Sequence, residues 1–272
     1  MDIFQALVLG ITQGLTEFLP ISSTGHLILV SEFMHWPIQP LVFDAFLHLG
    51  TLLAVFAYFR KDVARIILHT IDDLIKNQRV FSQWHEYTKL GFYILLGTIP
   101  ALLLGLMFGD TIEANFREVF YVLIFLALGT GVMYYADTFY SANNGALSFS
   151  KSLLVGFFQA LALLPGFSRS GATISGGLFV GLSRENSARF AFLLSLPIIF
   201  GAGVFKLIAS VSELSTISPV VLLVGFVSSF VVGLICIRAL LLFLKTKSLM
   251  GFIIYRGVLA VVLLGYIIYT IL

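Results

Sequence analysis

Between Gly10 and His26 an otherwise apolar stretch reads Gly-Ile-Thr-Gln-Gly-Leu-Thr-Glu-Phe-Leu-Pro-Ile-Ser-Ser-Thr-Gly-His. It holds a carboxylate, three consecutive hydroxyls and a histidine. Polar groups without partners are costly in hydrocarbon, so such a cluster lines a cavity or performs chemistry. Gln13 and Glu17 are four residues apart, and Ser23 and His26 three apart. Each pair therefore falls on one helix face. Glu17 could hold a hard cation that bridges phosphates, or carry protons. Ser23 or His26 could attack phosphorus while the other manages the proton.

A second stretch answers the first at Gly156-Phe-Phe-Gln-Ala-Leu-Ala-Leu-Leu-Pro-Gly-Phe-Ser-Arg-Ser-Gly-Ala-Thr173. Pro165-Gly166 breaks the backbone, and Ser168 is placed to cap a helix that runs on through Thr173. A helix N-terminus offers unpaired N–H groups and the positive end of a dipole, a natural seat for phosphate. Arg169 adds a planar fork suited to phosphate oxygens, and Ser168, Ser170 and Thr173 add hydroxyl donors. Ser22, Ser23, Thr24 and Gly25 repeat the design at the first break. Two opposed helix N-termini and one arginine describe a pocket for a doubly charged phosphate group. Its binding set is Gln13, Ser22, Thr24, Gly25, Gly166, Ser168, Ser170 and Thr173, and its reactive set is Glu17, Ser23, His26 and Arg169. A Ser/Thr-Gly run by itself is more often close helix packing. The joint occurrence of all these groups at paired positions favours chemistry. His35, His69 and His85 read as solvent-side residues, and Asp44 and His48 carry no assignment.

The elements that must position these groups are membrane helices. Hydrophobic residues make up 59% of the 272 residues and charged residues 11%, against about 25% charged in an ordinary soluble domain. A net charge of +2 with scattered basic residues gives no footing for nucleic acid. The lone Cys236 excludes an internal disulfide. No secretory leader is expected, since the first residues carry Asp2 and no Lys or Arg.

Residues 2–34 form two short apolar runs broken at Pro20. The first offers only ~25 Å of helix against a bilayer core of about 30 Å, so the two read as a re-entrant pair. Spans are expected at 41–59, 90–108 and 117–136, with an amphipathic interfacial helix over 60–76. A polar loop at 137–150 contains Asn143-Asn144-Gly145. The pattern then returns, with a re-entrant pair over 151–181 and spans at 187–208, 219–244 and 252–272. The halves, 1–136 and 151–272, align at an offset of 146, which brings Gly10 onto Gly156, Gln13 onto Gln159 and Ser22 onto Ser168. The expected fold is an all-α polytopic membrane domain, with six transmembrane helices and two re-entrant pairs in an inverted-topology repeat. Loops 60–89, 137–151 and 182–189, with the 238–256 end, hold all 16 lysines and arginines but Arg117, Lys206 and Arg169. By the positive-inside rule that side is cytoplasmic and both termini face out.

At these two motifs the sequence resembles the undecaprenyl-diphosphate phosphatase family, also called the bacitracin-resistance protein family, over essentially the whole chain. The resemblance rests on Gln13 through His26 and on Pro165 through Thr173. It implies hydrolysis of a C55 isoprenyl diphosphate to the monophosphate and inorganic phosphate, with a divalent cation, Mg2+ or Ca2+. That activity recycles the lipid carrier of cell-wall synthesis on the outer side of the bacterial cytoplasmic membrane, and the family name implies bacitracin resistance. Carried over by position, Glu17 and Arg169 engage metal and diphosphate, while Ser23 and His26 are candidates for the attack. The family's first motif has Glu or Gln, three residues, then Glu. Here the first position is Gln13, the weaker metal ligand, which leaves Glu17 the main acidic role. The expected partners are the isoprenyl diphosphate lipid and the membrane, and a homodimer is compatible with this reading. The rival reading is a transporter or flippase for a phosphorylated lipid, since broken helices meeting at mid-membrane are typical of transporters.

Overall fold

A computed structural model describes residues 1–37, 39–76, 78, 80–116, 118–141, 146–209 and 211–271. Arg79, Arg117 and the Asn143-Asn144-Gly145 loop lie outside the described residues. All regular elements among the described residues are helical. The chain opens with α1 (Ile3–Phe18), which Asp2 starts with a reciprocal capping box: Gln5 N–H donates to Asp2 Oδ1 at 2.8 Å, and Asp2 N–H to Gln5 Oε1 at 3.0 Å. A residue before proline is steered out of the helical region. Leu19, before Pro20, accordingly lies at φ −65° and ψ 139°, and α1 stops. Helix α2 (Ser23–Phe33) follows, then α3 (Leu41–Tyr58) and α4 (Arg60–Ile75). Helices α5 (Glu86–Asn115) and α6 (Val119–Thr138) complete the first half.

The second half again has two short helices followed by three long ones, without a counterpart of α4. Helix α7 (Phe149–Ala160) runs into a single 3-10 turn at Leu161–Leu163, and α8 (Arg169–Phe179) begins beyond Pro165-Gly166. Then come α9 (Arg184–Ala209), α10 (Pro219–Leu244) and α11 (Met250–Ile271). Among the described residues six helices are long and apolar enough to cross a membrane: α3, α5, α6, α9, α10 and α11. The protein is a multi-pass membrane protein. The observed helices extend several of the expected spans, most of all 90–108, because helices continue into the interface beyond the apolar core. Along α4, Ile67, Ile71, Leu74 and Ile75 are exposed as one apolar stripe, as an interfacial helix requires.

Small residues decide which helices meet. Between lipid-embedded helices there is little hydrophobic drive, so association depends on close backbone approach. Gly14 on α1 sits against α10, where an added Cβ would lie 2.8 Å from Ser229 O and from Val232 Cβ. Gly156 on α7 sits against Gly97 of α5 and leaves no room for a Cβ. Each first broken helix thus packs on the middle span of the other half. Helices α3 and α9, the first spans of the two halves, also pack on one another.

One basic residue departs from the topology expected for it. Arg256, counted above at a cytoplasmic end, is fully buried on α11. Its Nε donates to Thr130 Oγ1 at 2.9 Å. Nη2 donates to the carbonyls of Leu126 at 2.8 Å, Phe167 at 3.1 Å and Gly166 at 3.3 Å, and Nη1 reaches Pro20 O at 3.5 Å. A broken helix leaves carbonyls without amide partners. Arg256 supplies donors to both breaks at once, so its charge belongs to the interior and not to a loop.

Candidate active site

Both breaks end in the same cap. Ser22, at φ 76° and ψ 99°, accepts a hydrogen bond from Gly25 N–H through its side chain at 3.3 Å. Ser168, at φ 79° and ψ 113°, accepts from Gly171 N–H at 3.1 Å. Non-glycine residues rarely adopt such backbone angles, which cost on the order of 1–3 kcal/mol and persist where surrounding contacts hold them. Gly166, at φ 100°, is required as glycine, since a Cβ there would lie 2.5 Å from Val122 O. Ser170 Oγ donates to Leu19 O at 3.0 Å, which ties the second cap to the first break.

Between the caps is a cavity of about 200 Å³. Glu17, Ser22, Ser23, Thr24, Gly166, Ser168 and Arg169 line it, together with His48, Gln159 and Lys206. Glu17 is its centre and its side chain is only 5% exposed. Oε1 pairs with Arg169 Nη2. Oε2 accepts from Ser23 Oγ at 2.5 Å and from Gln13 Nε2 at 3.1 Å. The carboxylate on α1 thus joins the first residue of α2 to the first residue of α8, whose side chains both follow a capping serine.

His26 is placed differently from its expected partnership with Ser23. Its Nδ1 faces Ser22 O at 2.7 Å, so that nitrogen carries the hydrogen, and Nε2 accepts from Tyr255 Oη at 2.7 Å. The ring stacks on Tyr255 with centroids 5.7 Å apart. The imidazole thus bridges the cap's carbonyl and α11, and its two ring nitrogens are taken by Ser22 and Tyr255. His48, without an assignment from the sequence, does reach the cavity. Its Nδ1 donates to Asp44 O at 2.8 Å, and Nε2 stands 4.0 Å from Glu17 Oε2.

The remaining expected residues divide in two. Ser22, Thr24, Gly166 and Ser168 face the cavity. Gly25 contributes its N–H to the Ser22 cap. Thr173 is buried and spends its hydroxyl on Arg169 O at 2.7 Å and Ser170 O at 3.3 Å, so it serves its own helix.

Arg256 was missed, although an arginine six residues inside an apolar span is itself a signal. His48 carried a weaker one, a histidine four residues after Asp44 in a helix otherwise apolar.

No three His, Cys, Asp or Glu side chains converge as a metal set among the described residues. Mg2+ is commonly held by one or two carboxylates plus substrate phosphates and water. Glu17 and the neighbouring Gln13 Oε1, which is buried without a hydrogen-bond partner among the described residues, are oxygen donors of the kind such a cation takes.

The model of the bacitracin resistance protein BacA family matches residues 6–262. An undecaprenyl-diphosphatase of Chloroherpeton thalassium is 43% identical, over 97% of this chain and 96% of the relative. Proteins of the same name from Methanosphaera stadtmanae and Idiomarina loihiensis are 39% and 38% identical, over 96% and 97% of this chain and 97% and 98% of the relatives.

Proposed function

The chain belongs to the bacitracin resistance protein BacA family, and we propose that its cavity binds undecaprenyl diphosphate by the diphosphate and hydrolyses it. The enzyme is a membrane hydrolase that releases undecaprenyl phosphate and inorganic phosphate, which recycles the lipid carrier of cell-wall synthesis. One observation carries the mechanism: Ser23 Oγ donates to Glu17 Oε2 at 2.5 Å while Arg169 pairs with the other oxygen. Ser23 Oγ attacks the terminal phosphorus, and its proton passes to Glu17. The bond from that phosphorus to the bridging oxygen breaks, and the lipid monophosphate leaves. Water then attacks the phosphoserine, freeing inorganic phosphate and restoring the hydroxyl.

Phosphoryl transfer asks the protein chiefly for positioning and charge stabilisation. The free N–H groups of α2 and α8 and the Arg169 fork supply both. Glu17 and Gln13 Oε1 would hold a divalent cation, Mg2+ or Ca2+, which when bound neutralises phosphate charge. His26 orients α2 against α11 through Tyr255. His48 Nε2, 4.0 Å from Glu17 Oε2, borders the same carboxylate.

The finer architecture belongs to the same proposal. Residues 2–34 and 151–181 are re-entrant pairs, and 1–136 and 151–272 are inverted repeats. The matched serine caps at Ser22 and Ser168 support it, as do the crossed packing of α1 on α10 and α7 on α5. Both termini and the cavity mouth face outward from the cytoplasmic membrane in this reading, and the bias of basic residues to the opposite side, even without Arg256, supports it. The test is phosphate release from farnesyl or undecaprenyl diphosphate by purified protein in detergent. Release that vanishes in Ser23→Ala is the expected result. Transbilayer movement of the lipid without any phosphate release would favour a transporter.

A further inference from the structure

Gln159 closes α7 on the cavity side and is 2% exposed. Neither its Oε1 nor its Nε2 meets a hydrogen-bond partner among the described residues. A buried amide with both ends unpaired is costly, whereas an apolar side chain of the same shape would cost nothing there. The matching position in the first half is Gln13, whose Nε2 is spent on Glu17 four residues on. Four residues after Gln159 the chain has Leu163, so no carboxylate answers it. Gln159 instead lines the cavity that holds Glu17, Ser23, Ser168 and Arg169, with its two amide atoms buried in the cavity wall.

We propose that Gln159 is a substrate-binding residue whose partner is the diphosphate itself. Its Nε2–H donates to a phosphate oxygen, and its Oε1 accepts from a water that the phosphate carries. A neutral donor of fixed direction orients the diphosphate between the two caps without adding to the charge that Arg169 already supplies. Two unpaired polar atoms are tolerated in the free protein because the ligand satisfies them. This inference rests on the reading that the cavity takes a diphosphate.

The test compares wild type, Gln159→Leu and Gln159→Glu in detergent. The readouts are Tm without ligand, affinity for methylenediphosphonate, and KM and kcat for farnesyl diphosphate. Gln159→Leu is expected to keep or raise the unliganded Tm, because it removes the unpaired atoms. It should bind the diphosphonate about tenfold more weakly and raise KM about tenfold, the loss of one hydrogen bond. Gln159→Glu should lose about a hundredfold in both, through repulsion between like charges. A lowered Tm in Gln159→Leu with unchanged diphosphonate affinity and KM would overturn the proposal and make the amide structural. Wild type that binds the diphosphonate but releases no phosphate would end the phosphatase reading and leave the Gln159 arms decisive. Wild type that releases phosphate while Gln159→Leu binds and turns over normally would end this inference alone. Wild type that neither binds nor hydrolyses removes both.

Discussion

At the first break Ser22 turns the chain and Ser23 opens the next helix; at the second Ser168 turns it and Arg169 opens the next. The backbones nearly coincide, at φ 76° and 79°, and each capping hydroxyl accepts from the N–H three residues on. Behind the first break stand Gln13 and Glu17, and behind the second Gln159 and Leu163. One scaffold has thus been built twice and given opposite chemistry. The first copy carries the hydroxyl and the carboxylate, the second the cation. Glu17 spans the gap, holding Ser23 through one oxygen and Arg169 through the other. The likeness sets two helix N-termini beside one cavity, and in the proposed reaction the difference between them separates the attacking group from the cation.

Substitutions can break this comparison at several depths. The largest effect is expected to separate the hydroxyl that opens the first helix, Ser23, from the hydroxyl that only caps the second, Ser168. Ser23→Ala should lower turnover by at least ~10³-fold, as loss of an attacking group does, while Ser168→Ala, which removes only a cap worth about 1 kcal/mol, should lose about tenfold or less. Equal losses measured by phosphate release would show that the two breaks do the same job. Next comes Arg256, which serves both breaks. Arg256→Met should leave the Phe167 and Gly166 carbonyls without their donor and cost about 3 kcal/mol of stability, read as a fall in Tm in detergent. An unchanged Tm would show that the breaks hold their shape unaided.

Arg169→Lys keeps the charge and loses the paired donors. Turnover should fall on the order of 10²-fold, about 3 kcal/mol of barrier, in protein that elutes normally on size exclusion. Near-normal turnover in well-folded Arg169→Ala would end the claim that this arginine serves the chemistry. The smallest effect is expected on the far side of α2. Tyr255→Phe removes one neutral hydrogen bond to His26, about 1 kcal/mol, and should cost no more than about fivefold in kcat. A loss as large as that of Ser23→Ala would return His26 to the centre of the reaction.

Much of this arrangement was legible in the residues. Pro20 and Pro165-Gly166 each interrupt an apolar run just before a hydroxyl cluster, and a serine two or three residues on is a cap by its chemistry. The six spans follow from hydropathy and length. The partnership of Ser23 and His26 was not legible, because a spacing of three puts two side chains on one face without saying which way each turns. The imidazole found the cap's own carbonyl and a tyrosine more than two hundred residues away. Arg256 was read as a loop charge because basic residues crowd the ends of spans, and only tertiary structure gives it five acceptors. His48 reaches Glu17 through the packing of α3 beside α1, which no local pattern encodes.

The central claim, that the first break carries the attacking group, is tested most directly by trapping the covalent intermediate. Purified protein would be mixed with farnesyl diphosphate labelled on its terminal phosphate, quenched within milliseconds in parallel acidic and alkaline conditions, digested and mapped by mass spectrometry. The account predicts an acid-stable phosphate on Ser23, with none formed in Ser23→Ala. An acid-labile phosphate on His26, or turnover with no phosphoprotein at any quench time, would contradict it.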